Sequence, residues 1–201
     1  NYTMRPVNDQ ILAVVYGGYT SEVEISVKSG KSVARWLRNA GRNVYEVLLS
    51  LDGWWAITPS GDETERKWPI DRNDFSFTPD GGEKICFDKV FIIIHGDPGE
   101  NGRLQAYFEM LSIAYVGCSS QCATIAFDKY ACKSYLRDSG TFLARDIMLR
   151  RNEPYRPEDI IARTGLPAFV KPCGGGSSFG VTKIRSTEEL DGALRTAFSE
   201  S

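Results

Sequence analysis

The most constraining feature of this chain is the alternation of short apolar runs with segments of helical periodicity. Residues 11–16 (ILAVVY) form a β-branched run that ends at a Gly-Gly pair, and residues 90–95 (VFIIIH) form a second such run. Continuous runs of this kind are typical of strands buried on both faces of a sheet. Between them, residues 26–40 carry apolar side chains at three- and four-residue steps and are followed by Gly41, which suits a helix end. This alternation predicts right-handed crossovers and a parallel sheet.

The remaining segments extend the same pattern. The polar stretch 59–82 contains Gly, Pro and Asp, which predicts an irregular surface connection. A last helix is expected after Ser186 or Thr187, because either residue offers an N-cap and acidic residues follow. Further strands are predicted at residues 44–49, 114–117, 141–148, 168–171 and 181–184, and further helices at residues 103–111, 123–139 and 157–163.

Length and composition limit the class of protein. The chain has 201 residues with 42% apolar residues and a formal charge of −2, so no clustered basic face for nucleic acid is expected. No apolar run approaches the roughly 20 residues that span a bilayer, and no signal peptide is evident, so no membrane association is expected. Five cysteines and a single histidine fit no zinc pattern, which favours reduced thiols and a cytoplasmic protein. A change of character at residues 117–121 predicts two domains, 1–120 and 121–201.

Two glycine-bearing loops follow the two most apolar strands. One begins at Gly17-Gly18 and the other at His95-Gly96, and both contain acidic residues. Ligands of open parallel sheets bind at the carboxyl ends of the strands, so both loops are expected at one ligand-binding edge. Ordinary strand-to-helix turns are the alternative interpretation.

The strongest local signal is a glycine-rich segment, residues 169–180 (FVKPCGGGSSFG). Lys171 ends an apolar strand, and Gly174 to Gly176 free the backbone, so several N–H groups can form a nest for an anion. The hydroxyls of Ser177 and Ser178 add donors, and the lysine adds a compact positive charge for a polyphosphate. This is not a Walker A loop, because the lysine precedes the glycines. A flexible hairpin loop is the alternative.

These motifs together resemble one family. The strand, Lys-Pro, glycine-rich loop and returning strand resemble the phosphate-covering hairpin of ATP-grasp enzymes, and VKPCGGGSSFGVTK looks like that of the D-alanine–D-alanine ligases. Residues 17–26 (GGYTSEVEIS) resemble the family's first-loop pattern, with Thr20 in place of Ser. Residues 95–105 resemble its His-Gly-x-x-Gly-Glu-Asp-Gly-x-x-Gln pattern, with Asn101 in place of Asp. Residues 115–117 and 127–129 fill the places of its Tyr-Thr-Gly and Met-Asp-Lys.

The resemblance implies a fold and a set of substrate residues. The implied fold is α/β, with a parallel-sheet, Rossmann-like N-terminal domain followed by the first part of an α+β ATP-grasp domain. Glu22 aligns with the acid that holds the ammonium of the first D-alanine, and Ser177 with the serine that hydrogen-bonds this acid and helps to close the site. His95 aligns with a residue near that substrate. From the residues alone, the favoured interpretation of Glu22 is an acid at the N-terminus of a helix, and that of His95 is a structural group.

The resemblance also implies the nucleotide contacts. Lys129 and Lys171 align with lysines on the ATP phosphates, and Gly176 and Ser178 belong to the loop that covers them. A solvated surface role is the alternative for Lys129, which lies in a predicted helix, whereas Lys171 is favoured as a phosphate ligand because it ends an apolar strand. Mg²⁺ is expected with ATP, but no residue of this chain aligns with its ligands, which are expected beyond residue 201. A homodimer is also expected.

The implied activity is the ATP-dependent joining of two D-alanines for peptidoglycan synthesis, through an acyl phosphate. A chain that ends at residue 201 is expected to be an incomplete and inactive part of such a ligase. Ligases that use D-lactate or D-serine as second substrate are alternatives, as is a non-catalytic nucleotide-binding module. A dinucleotide oxidoreductase is disfavoured, because the first loop lacks the Gly-x-Gly-x-x-Gly spacing.

Overall fold

A computed structural model describes residues 5–59, 65–176 and 178–200. The chain divides into two compact units, one reaching to Thr124 and the other beginning at Ile125. The first unit contains a six-stranded sheet, and the second contains a two-stranded hairpin packed with helices. No helix within the described ranges combines the length and the apolar character needed to span a bilayer.

The central sheet confirms the predicted mixed α/β architecture. The strands of the first unit are β1 Ile11–Gly17, β2 Asn43–Ser50, β3 Gly53–Pro59, β4 Glu65–Pro69, β5 Ser76–Phe77, β6 Ile85–Cys86, β7 Lys89–Ile92 and β8 Ala114–Val116. The central sheet has the order β4-β3-β2-β1-β7-β8, in which β1 pairs in parallel with β2 and β7, and β7 pairs in parallel with β8. The predicted strand at 90–95 therefore ends early, at Ile92, and residues 93–95 lie beyond it.

One side of the sheet is antiparallel, which the sequence did not predict. Strands β3 and β4 add to β2 as an antiparallel ribbon, so the prediction of an irregular connection over residues 59–82 is wrong for residues 65–69. Strand β4 is the sheet edge and reads ERKWP, with most side chains exposed. Charged residues are common on edge strands because they discourage pairing with further strands. Here the charged residues remove the apolar pattern from which a strand would have been predicted. Strand β5, which pairs with β6 as a short hairpin, lies in the same polar stretch.

The two faces of the sheet are covered by different elements. Helix α1 (Val23–Asn39) covers one face and packs on Leu12, Val14 and Tyr16 of β1. Gly41 follows this helix with a φ of +76°, as its predicted helix-ending role requires. The other face carries helix α2 (Arg103–Met110) and a cluster of aromatic side chains: Tyr45, Trp54, Phe75, Phe77, Phe87, Tyr107 and Phe108.

Gly30 lies where α1 crosses β1, and we expect Gly30→Ala to destabilise the first unit. A Cβ at this position would lie 2.4 Å from Cδ1 and 2.5 Å from Cβ of Tyr16, which is fully buried. Alanine favours a helix by about 1 kcal/mol over glycine, but overpacking a rigid core costs about 1–3 kcal/mol. Urea unfolding followed by tryptophan fluorescence measures the net effect, because all four tryptophans lie before Thr124.

Gly192→Ala is the matched control. Gly192 lies in helix α6 (Leu190–Ser199), where a Cβ would meet nothing closer than the Arg195 guanidinium at 3.9 Å. The same substitution there should leave the tryptophan transition unchanged. A stability gain at Gly30 would contradict the packing argument.

The second unit has one small core and departs from prediction at three places. The core joins Ile160 of α5 (Pro157–Thr164), Ile184 of β10 (Thr182–Ile184) and residues of α6. The predicted helix over residues 123–139 is two helices, α3 (Ser120–Phe127) and α4 (Lys129–Leu136). The break falls at Asp128, whose carboxylate accepts hydrogen bonds from the N–H groups of Tyr130 and Ala131 and so begins a new helix.

The predicted strand at residues 141–148 does not form among the described residues. Side chains of neighbouring helices bind two of its carbonyl groups instead. Lys133 Nζ donates to the oxygen of Ala144 at 2.6 Å, and Arg163 Nε donates to that of Asp146 at 2.9 Å. The last helix also differs from prediction, since it begins as a 3₁₀ turn at Thr187–Glu189 and the Ser186 side chain makes no capping hydrogen bond.

Candidate functional site

The first loop (residues 17–22) leaves the carboxyl end of β1 in a conformation that requires glycine. Gly17 and Gly18 have φ angles of +101° and +100°. A Cβ on Gly17 would lie 2.2 Å from the carbonyl oxygen of Leu49, and the Gly18 N–H donates to that oxygen at 2.9 Å. The backbone can therefore turn directly against the end of β2.

The second loop (residues 95–102) follows β7, and the two loops touch. The Tyr19 N–H donates to the Asp97 carbonyl at 3.0 Å, and Thr20 Oγ1 donates to the His95 carbonyl at 3.1 Å. A Cβ on Gly96 would lie 2.7 Å from Thr20 Cγ2. These contacts confirm that both loops share one edge of the sheet, at the carboxyl ends of adjacent parallel strands.

Ser26 holds the two strand ends together from the first turns of α1. Its side chain is fully buried, and its Oγ accepts the Gly17 N–H at 2.9 Å and donates to the Ile93 carbonyl at 2.5 Å. One hydroxyl thus satisfies a donor at the end of β1 and an acceptor just past β7. Ser26 belongs to the first-loop pattern, but no role for it was predicted from the sequence.

Glu22 lies at the point where the first loop enters α1. Glu22 is only 9% exposed, and its backbone N–H donates to Thr20 Oγ1 at 3.3 Å. Glu24, one position into the helix, is exposed. Both acids are near the positive end of the helix dipole, but only Glu22 is buried beside the loops. His95 is half-buried and begins the second loop.

The second loop is stabilised by its own side chains. Glu100 Oε2 accepts the Gly96 N–H at 2.7 Å, and Gln105 Nε2 donates to the Gly99 carbonyl at 2.5 Å. The loop also rests on α3. Gly102 has no room for a side chain, because a Cβ there would lie 2.2 Å from Thr124 Oγ1, which itself donates to the Asn101 carbonyl at 3.1 Å.

Asn101, where the family pattern has Asp, is explained by its neighbour. Its Nδ2 donates to Asp97 Oδ1 at 2.5 Å, and the Arg103 guanidinium donates to the same oxygen at 3.0 Å. An aspartate cannot donate this hydrogen bond when ionised. The amide at position 101 therefore suits the carboxylate at position 97.

We expect Asn101→Asp to destabilise the second loop by about 1–2 kcal/mol at pH 7, because two carboxylates would then face each other. The loss should shrink as the pH falls below about 4, where an ordinary aspartate such as the one introduced at position 101 becomes protonated and regains a donor. The double variant with Asp97→Asn returns one amide and one carboxylate to the contact and should recover most of the stability. Chemical unfolding of the three variants at pH 7 and pH 4 measures this. No recovery in the double variant would contradict the pairing.

Trp54 and Tyr19 form a contact that was not predicted from the sequence. Trp54 Nε1 donates to the Tyr19 hydroxyl at 2.7 Å, and the Arg72 guanidinium lies 4.7 Å from the Trp54 ring centroid. The aromatic cluster beneath the sheet thus reaches the first loop through strand β3. This contact could not be predicted from the sequence, because the segment that forms β3 was not predicted as a strand.

In the second unit, the glycine-rich loop (residues 171–181) joins β9 (Ala168–Val170) to β10 and is bound to α4. The Lys129 N–H donates to the Cys173 carbonyl at 2.9 Å, and its Nζ donates to the Gly175 carbonyl at 2.9 Å. Gly174 lies against the Phe127 ring, where an added Cβ would be 3.4 Å from Cε1 of that ring. The ammonium of Lys129 is therefore held at the loop.

The other predicted nucleotide residues are placed differently. Lys171 is exposed, with its Nζ 5.3 Å from the Phe169 ring centroid, and Lys183 lies 5.8 Å from the same ring. Gly176 is half-buried and its carbonyl accepts the Phe179 N–H, while Ser178 is exposed with a φ of +62°. Ser177 lies outside the described residues.

No metal centre is evident in the part of the chain that the structure describes. Across residues 5–59, 65–176 and 178–200, no three His, Cys, Asp or Glu side chains are grouped closely enough to hold a metal ion. Each unit carries a candidate site of its own: two paired loops in the first unit, and a glycine-rich loop bound by Lys129 in the second.

Comparison with solved structures defines the class as ATP-grasp. The VanG D-Ala:D-Ser ligase from Enterococcus faecalis matches with a TM-score of 0.80 and 27% identity, over 94% of this chain and 60% of that one. D-alanyl-alanine synthetase A from Vibrio cholerae matches with a TM-score of 0.78 and 25% identity, over 98% of this chain and 58% of that one.

Sequence comparison gives the particular family. Residues 11–118 match the family described as D-ala D-ala ligase N-terminus, and residues 140–201 match D-ala D-ala ligase C-terminus. The chain is 42% identical over 190 residues to the D-alanine–D-alanine ligase of Bacteroides fragilis, and 45% identical over 190 residues to that of Azobacteroides pseudotrichonymphae. Each alignment covers 94% of this chain and 57% of the relative, so the chain spans little more than half of their length. The chain belongs to the D-alanine–D-alanine ligase family.

Proposed function

We propose that this protein joins two D-alanines in an ATP-dependent ligation that supplies D-alanyl-D-alanine for peptidoglycan synthesis. One observation carries the proposal. The first and second loops meet at the carboxyl ends of β1 and β7, with the buried Glu22 at their junction. A parallel sheet binds ligands at this edge, and an ionised carboxylate there is a strong ligand for the ammonium of an amino acid.

The proposed roles follow the two parts of the site. Glu22 binds the ammonium of the first D-alanine, and His95 lies beside that substrate. Lys129 and Lys171 bind ATP phosphates, and the N–H and hydroxyl groups of the glycine-rich loop, including Gly176, Ser177 and Ser178, cover them. The role of Lys129 is supported by its hydrogen bond to the Gly175 carbonyl, which holds its ammonium at the glycine-rich loop. A phosphate bound under this loop would replace the carbonyl as the partner of the ammonium.

The proposed chemistry proceeds through an acyl phosphate. The carboxylate of the first D-alanine attacks the γ-phosphorus of ATP and ADP leaves. The amine of the second D-alanine then attacks the acyl carbon, and phosphate leaves. Transfer of this kind depends on positioning and on positive charge at the phosphates, which the two lysines supply. The loop over the phosphates also has to exclude water, because an acyl phosphate hydrolyses readily.

Magnesium would neutralise phosphate charge when bound, but the described residues do not form a site for it. We propose that its ligands belong to the part of the family's fold that this chain does not span. We also propose a cytoplasmic location, where ATP is available, and a homodimer. Exposed apolar side chains on one face of α1, Ile25 and Trp36, are consistent with a covered surface, and sedimentation of the purified protein would test the dimer.

Ligation of D-alanine to D-serine is a second candidate, because the VanG D-Ala:D-Ser ligase is among the similar structures. The loops described above concern the first substrate in either case. Incubation with MgATP, D-alanine and D-serine, followed by mass spectrometry of the products, distinguishes the two dipeptides. Release of ADP that depends on D-alanine, with D-alanyl-D-alanine as product, would support the main proposal. A protein that binds D-alanine no better than L-alanine would contradict it.

The nucleotide part is tested by three lysine variants. We expect Lys129→Ala and Lys171→Ala each to weaken ATP binding about tenfold, since each removes a charge-assisted contact worth about 1.5 kcal/mol or more. Lys183→Ala is the matched control, because Lys183 shares the Phe169 ring with Lys171 but has no proposed phosphate contact. Calorimetric titration with ATP measures all three. Equal losses for Lys171 and Lys183 would refute a specific role for Lys171.

A further inference from the structure

Thr20, where the family pattern has serine, lies at the junction between the first and second loops. Its Oγ1 donates to the His95 carbonyl at 3.1 Å and accepts the Glu22 backbone N–H at 3.3 Å. A hydroxyl has one donor and two acceptor positions, so it can make both hydrogen bonds at once. One hydroxyl therefore joins the backbones of the two residues that we assign to the first substrate.

The methyl group of Thr20 packs against the second loop at a glycine. Gly96 has a φ of +74°, and a Cβ there would lie 2.7 Å from Thr20 Cγ2 and 3.2 Å from Thr20 Oγ1. The methyl group thus occupies the space that a side chain at position 96 would need. Because both heavy atoms on the Cβ of Thr20 are in contact, its χ1 angle is held in one rotamer, whereas a serine could rotate its hydroxyl away.

The second loop gives Thr20 a firm support. The Gly96 N–H donates to Glu100 Oε2 at 2.7 Å, and the Gly96 carbonyl accepts the Glu100 N–H at 2.8 Å. Next to Thr20, the Tyr19 N–H donates to the Asp97 carbonyl at 3.0 Å. The hydroxyl of Thr20 is therefore bonded to a loop that its own contacts hold in shape.

The hydrogen bond to Glu22 fixes this acid on the side of the first loop. The Glu22 carbonyl accepts the Ser26 N–H at 3.0 Å, so α1 fixes the other side of the residue. Which rotamers a side chain can adopt depends on its backbone angles, and a small displacement of a binding group can remove much of its effect. The position of the Glu22 carboxylate thus depends on Thr20.

We propose that Thr20 is a positioning residue for the first D-alanine, which acts by tying Glu22 to the second loop. This inference rests on the proposed function, in which Glu22 binds the ammonium of that substrate. The hydroxyl of Thr20 places the backbone of Glu22, and the methyl group keeps the hydroxyl in its rotamer. Thr20 acts on D-alanine only through Glu22.

The experiment compares two substitutions that each remove one part of the side chain. Valine keeps the shape of threonine without the hydroxyl, whereas serine keeps the hydroxyl without the methyl group. We expect Thr20→Val to weaken D-alanine binding about fivefold to tenfold and Thr20→Ser only about twofold, because the hydroxyl makes both hydrogen bonds. ATP affinity should stay within about twofold in both variants, since the nucleotide is assigned to the second unit.

A double-mutant cycle distinguishes action through Glu22 from a general loosening of the loops. In Glu22→Gln the charge that Thr20 positions is absent, so adding Thr20→Val should weaken D-alanine binding by less than about twofold. NMR titration with D-alanine measures these weak affinities. Losses that multiply in the double variant would overturn the proposal, as would equal losses in Thr20→Val and Thr20→Ser.

Amide exchange tests the same contact without a ligand. Exchange at the Glu22 N–H should accelerate in Thr20→Val and stay slow in Thr20→Ser, and unchanged exchange in Thr20→Val would overturn the proposal. Thr196→Val is the matched control, because it removes a hydroxyl that donates to the Gly192 carbonyl within α6, and it should change neither affinity.

The two proposals fail in different ways. If the role of Thr20 alone is wrong, Glu22→Gln still weakens D-alanine binding and Thr20→Val does not. If the wild-type chain does not bind D-alanine, the proposed function is refuted, and the role of Thr20 with it.

Discussion

Ser26→Ala is expected to lower the free energy of unfolding of the first unit by about 2–4 kcal/mol, a large effect for the loss of one oxygen atom. The hydroxyl of Ser26 satisfies the Gly17 N–H and the Ile93 carbonyl, and all of Ser26 is buried. An alanine would leave both backbone groups without this partner, and each buried unsatisfied group costs about 1–3 kcal/mol. The slight gain in helix propensity from serine to alanine is smaller than either cost.

A second serine in α1 provides a control that separates the loss of the Ser26 contacts from the general effect of replacing a helical serine by alanine. Ser32→Ala removes a hydroxyl from the same helix, where Ser32 donates only to the Lys28 carbonyl on the surface, and should change stability by less than about 0.5 kcal/mol. Urea unfolding followed by tryptophan fluorescence measures both variants. Amide exchange at Gly17 should accelerate in Ser26→Ala alone. Equal stability losses in the two variants would show that Ser26 does not join the strand ends.

The elements that were predicted correctly are those in which burial and pattern agree. Strand β1 and strand β7 are apolar on both faces, so their sequences allowed few alternatives. Strand β4 was missed because an exposed edge strand is stabilised by its pairing with β3 and not by apolar side chains. The segment 141–148 has the composition of a strand, but strand formation needs a pairing partner, which composition does not supply.

In the candidate site, too, some features could be predicted from the sequence and others could not. The convergence of the two loops could be predicted, because it follows from parallel strands and their direction alone. The contacts that hold them, through Ser26 and through Trp54 to Tyr19, join residues up to 67 positions apart and carry no local signal. Lys171 was placed ahead of Lys129 from the sequence, yet Lys129 has the contacts to the glycine-rich loop. The family pattern predicts which residues belong to the site, whereas the contacts between them become known only from the folded structure.

The two acids at the start of α1 allow the proposed substrate role to be separated from helix electrostatics. Glu22 and Glu24 both lie in the field of the helix N-terminus, where a carboxylate contributes about 0.3–1 kcal/mol. Glu22 is buried at the junction of the loops, whereas Glu24 is exposed. If helix electrostatics were their only role, neutralising either acid would change stability slightly and ligand binding hardly at all.

Glu22→Gln is therefore expected to weaken D-alanine binding by about tenfold to a hundredfold, because a hydrogen bond to a charged group contributes about 1.5–3 kcal/mol. Glutamine keeps the size of the side chain and removes only the charge that the ammonium requires. ATP affinity should stay within about twofold, since the nucleotide is assigned to other residues, and Glu24→Gln should leave both affinities unchanged. Calorimetric titrations of each variant with D-alanine and with ATP measure this. A parallel loss of both affinities would indicate a disturbed fold, and unchanged D-alanine affinity would remove Glu22 from the substrate site.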